Sequence, residues 1–293
     1  MRIPETKRTL LFAVVAALAL QACQPTPEID VGSGTAQITA SPPRATVVLV
    51  HGMGGFKKIG PLDYFFHVPA LWQRSGAKVF VAADTSFASV EQRARELKAQ
   101  LDRIDGPLVL VGHSQGGLDA RFLVSKLGYA SRVKAVITVA TPHKGSPLAD
   151  VLFGLAPGAV EDATDALLSL LGWSLDGARE VTTGYMTGTF NAAVPDSAGV
   201  AYWSFAGRAS PLGLERGSGW LHSPLLASWT LLKAMHLESD GIVPVDSQKW
   251  GTFLGEIPAD HIGEVNQPLG ETPGFNADAF YSQLLQRLHD SGY

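Results

Sequence analysis

Residues 107–127 read PLVLVGHSQGGLDARFLVSKL, and this segment is the strongest indication of the fold class. The apolar run at 107–111 is typical of a strand buried on both faces, and a helical pattern begins at residue 115. Between them, residues 112–116 match G-x-S-x-G, in which a sharp turn lifts a serine above the edge of a sheet. We therefore predict that Ser114 is a nucleophile placed at the end of a parallel strand.

Further apolar runs lie on both sides of this unit, and helical patterns separate them. The predicted strands are 46–50, 78–82, 107–111, 133–139 and 201–205, and the predicted helices include 90–101, 115–127 and 276–288. Such alternation is typical of a mostly parallel sheet with helices on both faces. Since no repeat or linker divides the sequence, we expect one α/β domain over residues 45–293.

Composition excludes several classes of protein. The chain has 293 residues, of which 46% are hydrophobic, and a net charge of −4. This content is too apolar for a disordered chain, and the absence of a basic run argues against a nucleic-acid partner. Cys23 is the only cysteine, so no intramolecular disulfide and no Cys₂ or Cys₄ metal site can form.

The N-terminus resembles a bacterial export signal. Arg2, Lys7 and Arg8 precede an apolar run over 9–20, which is too short for a stable membrane span. The run ends in Leu-Gln-Ala-Cys, similar to a lipobox, so we expect a signal peptide over 1–22 and a lipid on Cys23. Residues 23–44 then form a lipidated tether, which predicts an outer-membrane or cell-surface lipoprotein anchored to the membrane by that lipid. The alternative is an ordinary secretion signal and a secreted protein.

Two backbone amides are candidates for binding a developing oxyanion. The amide of Gln115 opens the predicted helix and directly follows the nucleophile. Met53 lies in the sequence His-Gly-Met-Gly-Gly after the first strong strand, where α/β-hydrolases carry their second oxyanion donor. Each such donor is worth about 100- to 1000-fold in rate.

The remaining catalytic groups are predicted from chain order, which in this arrangement is serine, acid, histidine. His261 lies in a loop before the last predicted helix and is our candidate base. Asp240 precedes Gly241 in a tight turn and is our candidate acid, which would orient the imidazole. The other histidines after Ser114 are His143, His222, His236 and His289, and the rival acids are Glu238, Asp246 and Asp260.

The residues resemble the secreted bacterial triacylglycerol lipases of the Pseudomonas/Burkholderia type. The similar patches are VLVHGMGGF, SFASVEQRARELKAQL, VGHSQGGLDARFL, VATPHKGSPLAD, TFNAAVP, SDGIVP and DHIGEVNQ, in the family's order between about residues 47 and 270. The resemblance implies an α/β-hydrolase fold with a helical lid. It also implies the same nucleophile, acid, base and oxyanion donors as those proposed from the residues, and a dedicated folding chaperone, which many relatives need.

Two departures concern the family's calcium ion. The family has one calcium-binding aspartate two residues after the catalytic histidine, but Gly263 stands there. Its other calcium-binding aspartate lies in the segment before the catalytic acid, and residues 206–237 contain no aspartate. The nearest carboxylate, Glu264, would point elsewhere in an extended loop. We therefore predict no metal and no cofactor, with the His261 loop held by protein contacts that could involve Asn266 and Gln267.

The lid is predicted at about 148–175. Val160, Ala163, Leu167, Leu170 and Leu171 form one apolar helical face. A lid with such a face could swing onto a lipid interface, or the helix could be static, and the sequence favours neither.

These features predict a serine ester hydrolase that cleaves lipid esters through an acyl-enzyme on Ser114. A polyester depolymerase or an acyltransferase with the same triad is one alternative. A non-catalytic envelope lipoprotein that binds lipid is another, although its expected mark would be a broken triad.

Overall fold

A six-stranded parallel sheet forms the centre of the computed structural model, which describes residues 41–55, 58–59, 62–85, 87–154 and 175–293. The strands are β1 Thr46–Val50, β2 Val79–Val81, β3 Leu108–His113, β4 Val133–Val139, β5 Ala201–Gly207 and β6 Thr252–Ile257. Their order across the sheet is β6-β5-β4-β3-β1-β2. Every neighbouring pair is parallel.

Helices cover both faces of this sheet. They are α1 Val68–Arg74, α2 Val90–Leu101, α3 Gln115–Lys126, α4 Pro147–Leu152, α5 Leu175–Arg179, α6 Leu226–Ala234, α7 Val245–Gln248 and α8 Ala277–Asp290. Shorter helical turns lie at Tyr129–Ser131, Thr183–Tyr185, Met186–Phe190, Asn191–Ala193, Pro211–Gly213, Ser223–Leu225 and Gly263–Val265. Two small ladders pair Lys58–Ile59 with Leu62–Asp63 and Ala209–Ser210 with Gly219–Trp220. The predicted α/β-hydrolase architecture is confirmed.

The two faces of the sheet explain the continuous apolar runs. Alternate strand residues such as Val109 and Val111 pack against α1 and α8, where Trp72 and Phe280 are buried. The residues between them, such as Leu110, pack against α2 and α3. Because both faces are covered, every residue of β3 is buried, which accounts for the unbroken apolar run over 108–111.

One strand was not predicted. β6 pairs with β5 at the edge of the sheet and contains an irregularity between Phe253 and Gly255. Gly255 has a φ of 141°, and Thr252 and Glu256 are exposed. The bulge and the half-exposed edge remove the continuous apolar pattern that identified the other strands.

Several predictions fall on residues outside the described part of the chain. These are the signal peptide, Cys23, nearly all of the tether and most of the lid segment. Helix α4 covers the start of the lid segment. Residues 41–44, assigned to the tether, contact the end of the chain: Ser41 N–H donates to Gln286 Oε1 at 2.8 Å and Arg44 N–H to the Tyr293 carbonyl at 2.6 Å. Among the described residues, no helix has the length and apolarity to cross a membrane.

Candidate active site

Ser114 occupies a strained turn between β3 and α3. Its φ of 54° and ψ of −130° lie in a region that non-glycine residues rarely adopt. The glycines on either side of Ser114 leave no room for a side chain. A Cβ on Gly112 would lie 2.5 Å from the Gly117 amide nitrogen, and one on Gly116 would lie 2.4 Å from the Val50 carbonyl oxygen. The turn therefore has the geometry that G-x-S-x-G predicts.

The structure brings Ser114, His261 and Asp240 together. Ser114 Oγ lies 3.0 Å from His261 Nε2, and His261 Nδ1 lies 2.8 Å from Asp240 Oδ2. These distances allow the hydroxyl to donate to the imidazole and the imidazole to donate to the carboxylate. The arrangement can transfer the serine proton to a histidine that the acid holds in one tautomer.

Asp240 is completely buried and its second oxygen is also occupied. Asp240 Oδ1 accepts hydrogen bonds from the amides of Ile242 at 2.8 Å and Val243 at 2.7 Å. The His261 amide donates to the Asp240 carbonyl at 3.0 Å, which joins the two loops directly. The turn at Gly241, where φ is 96°, allows the following amides to fold back onto the carboxylate.

The rival acids and histidines have other partners. Glu238 and Asp246 form surface ion pairs with lysines, and Asp260 pairs with His222. His143 is buried against Arg121 and Thr138, His236 is exposed, and His289 contacts the Pro42 carbonyl. None of these rivals is hydrogen-bonded to Ser114 in the part of the chain that the structure describes.

Met53 and Gln115, the predicted oxyanion donors, line the same cavity as Ser114. The loop that carries Met53 presses against the nucleophile, since a Cβ on Gly52 would lie 2.7 Å from Ser114 Cβ. Buried Arg93 supports this loop. Its Nη2 donates to the His51 carbonyl at 2.6 Å, while its Nε pairs with Asp119 at 2.7 Å. Arg93 was missed in the sequence because it appears there only as one charge on an amphipathic helix.

Glu264 lies beneath the triad, and the prediction of an extended loop at this residue is wrong. The loop is not extended at this point: Gly263–Val265 form a 3₁₀ turn, which rotates Glu264 into the interior. Its Oε2 lies 3.0 Å from His113 Nε2 and 3.9 Å from His261 Nδ1. Burial, with Asp240 and Asp260 nearby, raises the pKa of Glu264 well above its usual range.

A hydrogen-bonded chain continues from Glu264 to Gly52, in the loop that carries Met53. The other nitrogen of His113 lies 2.7 Å from the Tyr64 hydroxyl, which accepts from the Gly52 amide at 3.2 Å. Burial, and the charge that His261 can carry, keep the pKa of His113 well below its usual range. Neutral His113 thus connects the loop that carries His261 to the loop that carries Met53, through Nε2 and Nδ1.

The residues do not fit the calcium ion that the family resemblance implies. Gly263 offers no ligand, and a Cβ there would lie 2.7 Å from Thr272 Cγ2, so the position has no room for a carboxylate. His113, His261 and Glu264 place potential ligand atoms within 4.8 Å of one another. However, both nitrogens of each histidine have hydrogen-bond partners in the network described above. No step of the reaction is therefore derived through a metal.

Protein contacts hold the His261 loop instead. Asn266 Nδ2 donates to the Phe66 carbonyl at 3.1 Å, and Gln267 Nε2 donates to the Asp63 carbonyl at 2.6 Å. Both residues were predicted to hold the loop. The contact between Asp260 and His222 was not predicted, because 38 residues of sequence separate the partners.

An apolar cavity of about 360 Å³ opens at Ser114. Its walls include Pro142, Val181, Leu225, Ile242, Val243, Ile262 and Val265. The polar groups in the lining are few and lie near the nucleophile, as in sites that bind an apolar ligand in a fixed orientation.

Comparison with known proteins agrees with this fold. Residues 46–151 match the palmitoyl protein thioesterase family. The triacylglycerol lipase of Vibrio cholerae is 28% identical over 289 residues, covering 85% of this chain and 89% of that lipase. The triacylglycerol lipase of Pseudomonas fragi is 26% identical, covering 85% and 97%. That of Burkholderia plantarii is 33% identical, covering 49% and 43%.

Solved structures show the same fold. The mature Bacillus licheniformis lipase BlEst2 matches with a TM-score of 0.65 at 22% identity, covering 88% of this chain and 96% of that one. The Staphylococcus hyicus lipase matches with a TM-score of 0.63 at 16% identity, covering 85% and 97%. The chain is an α/β-hydrolase-fold enzyme of the carboxylic ester hydrolase class. Its sequence is similar to bacterial triacylglycerol lipases, which confirms the predicted resemblance.

Proposed function

We propose that the chain hydrolyses lipid esters through an acyl-enzyme on Ser114, with His261 as general base and Asp240 as the acid that orients it. The observation that carries this proposal is the hydrogen-bonded series Ser114–His261–Asp240 at the mouth of an apolar cavity. The similarity to triacylglycerol lipases supports the choice of a lipid ester as substrate.

The geometry suits a two-step acyl transfer. Ser114 Oγ attacks the ester carbonyl carbon while His261 Nε2 takes its proton, and buried Asp240 stabilises the resulting imidazolium. The amides of Met53 and Gln115 donate to the oxyanion. His261 returns the proton to the leaving alcohol, and a water activated by the same imidazole then releases the fatty acid and frees Ser114.

The cavity supports an apolar acyl group. Burying each methylene of an acyl chain is worth about 0.8 kcal/mol, so apolar walls favour long chains over acetate-sized groups. A polyester depolymerase or an acyltransferase would use the same three residues. The thioesterase similarity spans residues 46–151, which include the nucleophile and the oxyanion loop but neither Asp240 nor His261, so it does not favour thioesters over esters.

We further propose that the protein is exported, with residues 1–22 as signal peptide and a lipid on Cys23, and that a dedicated chaperone assists its folding. The lone cysteine after Leu-Gln-Ala supports lipidation. The catalytic edge of the sheet and the segment at 41–44 lie at opposite ends of β1, because parallel strands place their carboxyl ends at one edge. An anchored domain could therefore hold its active site away from the anchor.

The test is hydrolysis of p-nitrophenyl esters over a series of acyl chain lengths. Wild-type protein should release p-nitrophenol and should prefer medium or long chains to acetate. Ser114→Ala is the matched control, since it removes one oxygen from a folded elbow. Equal rates for wild type and Ser114→Ala, or no hydrolysis of any ester, would contradict the proposal and favour a lipid-binding role.

A further inference from the structure

His222 spans the two ends of the loop that carries His261. The His222 amide and Nδ1 both contact Asp260 Oδ2, at 2.6 and 2.8 Å. On the other side of the ring, Nε2 lies 3.2 Å from the Glu271 carbonyl oxygen. Asp260 directly precedes the proposed base, and Glu271 lies ten positions after it. One side chain therefore bridges both ends of the loop.

We propose that His222, carrying a positive charge, is a positioning residue that holds the His261 loop in its active geometry. This inference rests on the proposed role of His261 as the general base. His222 itself does not touch Ser114 in the structure; it acts through Asp260 and Glu271.

The two hydrogen bonds of the His222 ring require the protonated, positively charged imidazolium. A neutral imidazole has one N–H and one bare nitrogen, whereas both nitrogens of His222 face oxygen acceptors. Only the imidazolium can donate to Asp260 and to the Glu271 carbonyl together. The hydrogen bond to Asp260 raises the pKa of His222 above its usual value of 6.5, which outweighs the opposing effect of partial burial.

Asp260 transmits the constraint to the base. Asp260 is completely buried, and its Oδ1 accepts from the Gly263 amide at 2.8 Å. The Glu264 amide donates to the Asp260 carbonyl at 3.0 Å. Asp260 thus fixes the start of the 3₁₀ turn immediately after His261. A buried carboxylate needs a compensating charge, and His222 supplies one by direct contact.

The backbone beside His222 is fixed to the same loop. Trp220 forms a bridge with Ala259, and a Cβ on Gly219 would lie 1.8 Å from the Pro258 carbonyl oxygen. The segment at 219–222 therefore runs directly alongside 258–260. These are parts of the two stretches that the family resemblance would link through calcium, so an ion pair makes the connection in this chain.

Among the residues that the structure describes, few titratable groups lie around His222. Asp260 faces Nδ1, and buried Glu264 lies behind Asp260. The carbonyl of Glu271 faces Nε2, and this residue is exposed. Because its folded pKa is raised, His222 stabilises the loop fully below about pH 6.5 and loses this effect as pH rises through that folded pKa. Glu264 also has a raised pKa, but it is present in every variant compared below, so its contribution cancels.

The test compares wild type with His222→Asn in the full chain. Asparagine keeps an amide N–H near the place of Nδ1 but carries no charge and is too short to replace Nε2. His236→Asn is the matched control, because His236 is exposed and its φ of 60° suits asparagine. Melting temperature and kcat/KM for a p-nitrophenyl ester are measured from about pH 6 to about pH 9.

At about pH 6, His222→Asn should lower the melting temperature by about 3 °C or more. It should lower kcat/KM about tenfold, since a small displacement of the base is costly. Both differences should shrink at high pH, where the wild-type imidazole is neutral too, and His236→Asn should match wild type throughout. Differences that are absent, or equal at every pH, would overturn the proposal.

An NMR titration of His222 in the wild-type protein gives a second measurement that does not depend on any variant folding. A ring pKa above 6.5 is expected, and a pKa at or below 6.5 would overturn the proposal. The titration and the melting curves need no turnover. If wild-type protein hydrolyses no ester, the proposed function fails while these readouts still decide the role of His222.

Discussion

Glu264 Oε2 lies 3.0 Å from Nε2 of His113, the residue directly before the nucleophilic serine. Both side chains are buried, and Asp240 and Asp260 lie close to Glu264. A third buried negative charge at this place would be costly, so burial and the two neighbouring aspartates raise the pKa of Glu264 well above its usual range. This environment favours Glu264 as a neutral hydrogen-bonding support over a second catalytic charge.

Glu264→Gln should therefore be well tolerated. Glutamine has nearly the shape and the charge of a protonated glutamate, so kcat/KM near neutral pH should stay within about threefold of wild type. Because the folded pKa of Glu264 is raised, wild type loses stability as pH rises through that pKa, whereas the variant has no such titration. The melting temperature of the variant relative to wild type should thus increase from about pH 5 to about pH 9.

Glu264→Ala is the contrasting variant in the same experiment. It leaves His113 Nε2–H without an acceptor and opens a cavity, so the free energy of unfolding should fall by about 2–4 kcal/mol. A loss of activity in Glu264→Gln as large as that in Glu264→Ala would mean that Glu264 works as a carboxylate.

Ser114→Ala and His261→Ala should each abolish ester hydrolysis without unfolding the domain. The first removes the hydrogen bond between Ser114 and His261, and the second removes that bond and the one between His261 and Asp240, while the sheet and its helices are untouched. Asp240→Ala should lose less activity, because removal of the acid costs less than removal of the nucleophile or the base. Initial rates with a p-nitrophenyl ester measure the activity of each variant, and circular dichroism shows whether it is folded. Activity above a few per cent of wild type in His261→Ala would assign the base to another histidine.

Calcium should not affect activity or stability. Gly263 provides no ligand, the space beside it is filled by Thr272, and the loop is fixed by Asn266, Gln267 and the His222–Asp260 pair. Melting temperature and hydrolysis are compared in excess EDTA and after calcium is added back. A loss in chelator that calcium restores would reveal a ligand set that the side chains do not suggest.

Cys23 should be lipidated in the mature protein. Cleavage before Cys23 leaves a sulfur and a new amino group for acylation, and chains on both would anchor the protein stably, at about 0.8 kcal/mol per buried methylene. Mass spectrometry of the mature N-terminus reads this directly, and Cys23→Ser should release or mislocalise the protein. An unmodified N-terminus that begins at another residue would contradict lipidation.

Local pattern predicted most of the fold. The strand–turn–helix unit at Ser114 and the helix Val90–Leu101 follow from short-range periodicity, because burial on both faces or on one face fixes which positions are apolar. β6 was missed because its bulge at Gly255 and its exposed edge break that periodicity.

The supporting residues of the site could not be predicted in the same way. Chain order was enough to select Asp240 and His261, which the structure places in hydrogen-bond contact. Tyr64, Arg93 and His222 reach partners 49, 42 and 38 positions away, and no local pattern records such contacts. The loop at Glu264 was predicted as extended, whereas it forms a 3₁₀ turn in which this side chain is buried.

Labelling by a p-nitrophenyl phosphonate shows directly whether Ser114 is a nucleophile activated by His261. A p-nitrophenyl phosphonate reacts with an activated serine, so one equivalent of p-nitrophenol should be released and one phosphonyl group should remain on the peptide that carries Ser114. Neither Ser114→Ala nor His261→Ala should be labelled at a comparable rate, since the attack needs both the hydroxyl and its base. Mass spectrometry should find the phosphonyl group on Ser114 alone. An unlabelled Ser114 in folded wild-type protein, or equal labelling in His261→Ala, would contradict the proposed roles of Ser114 and His261.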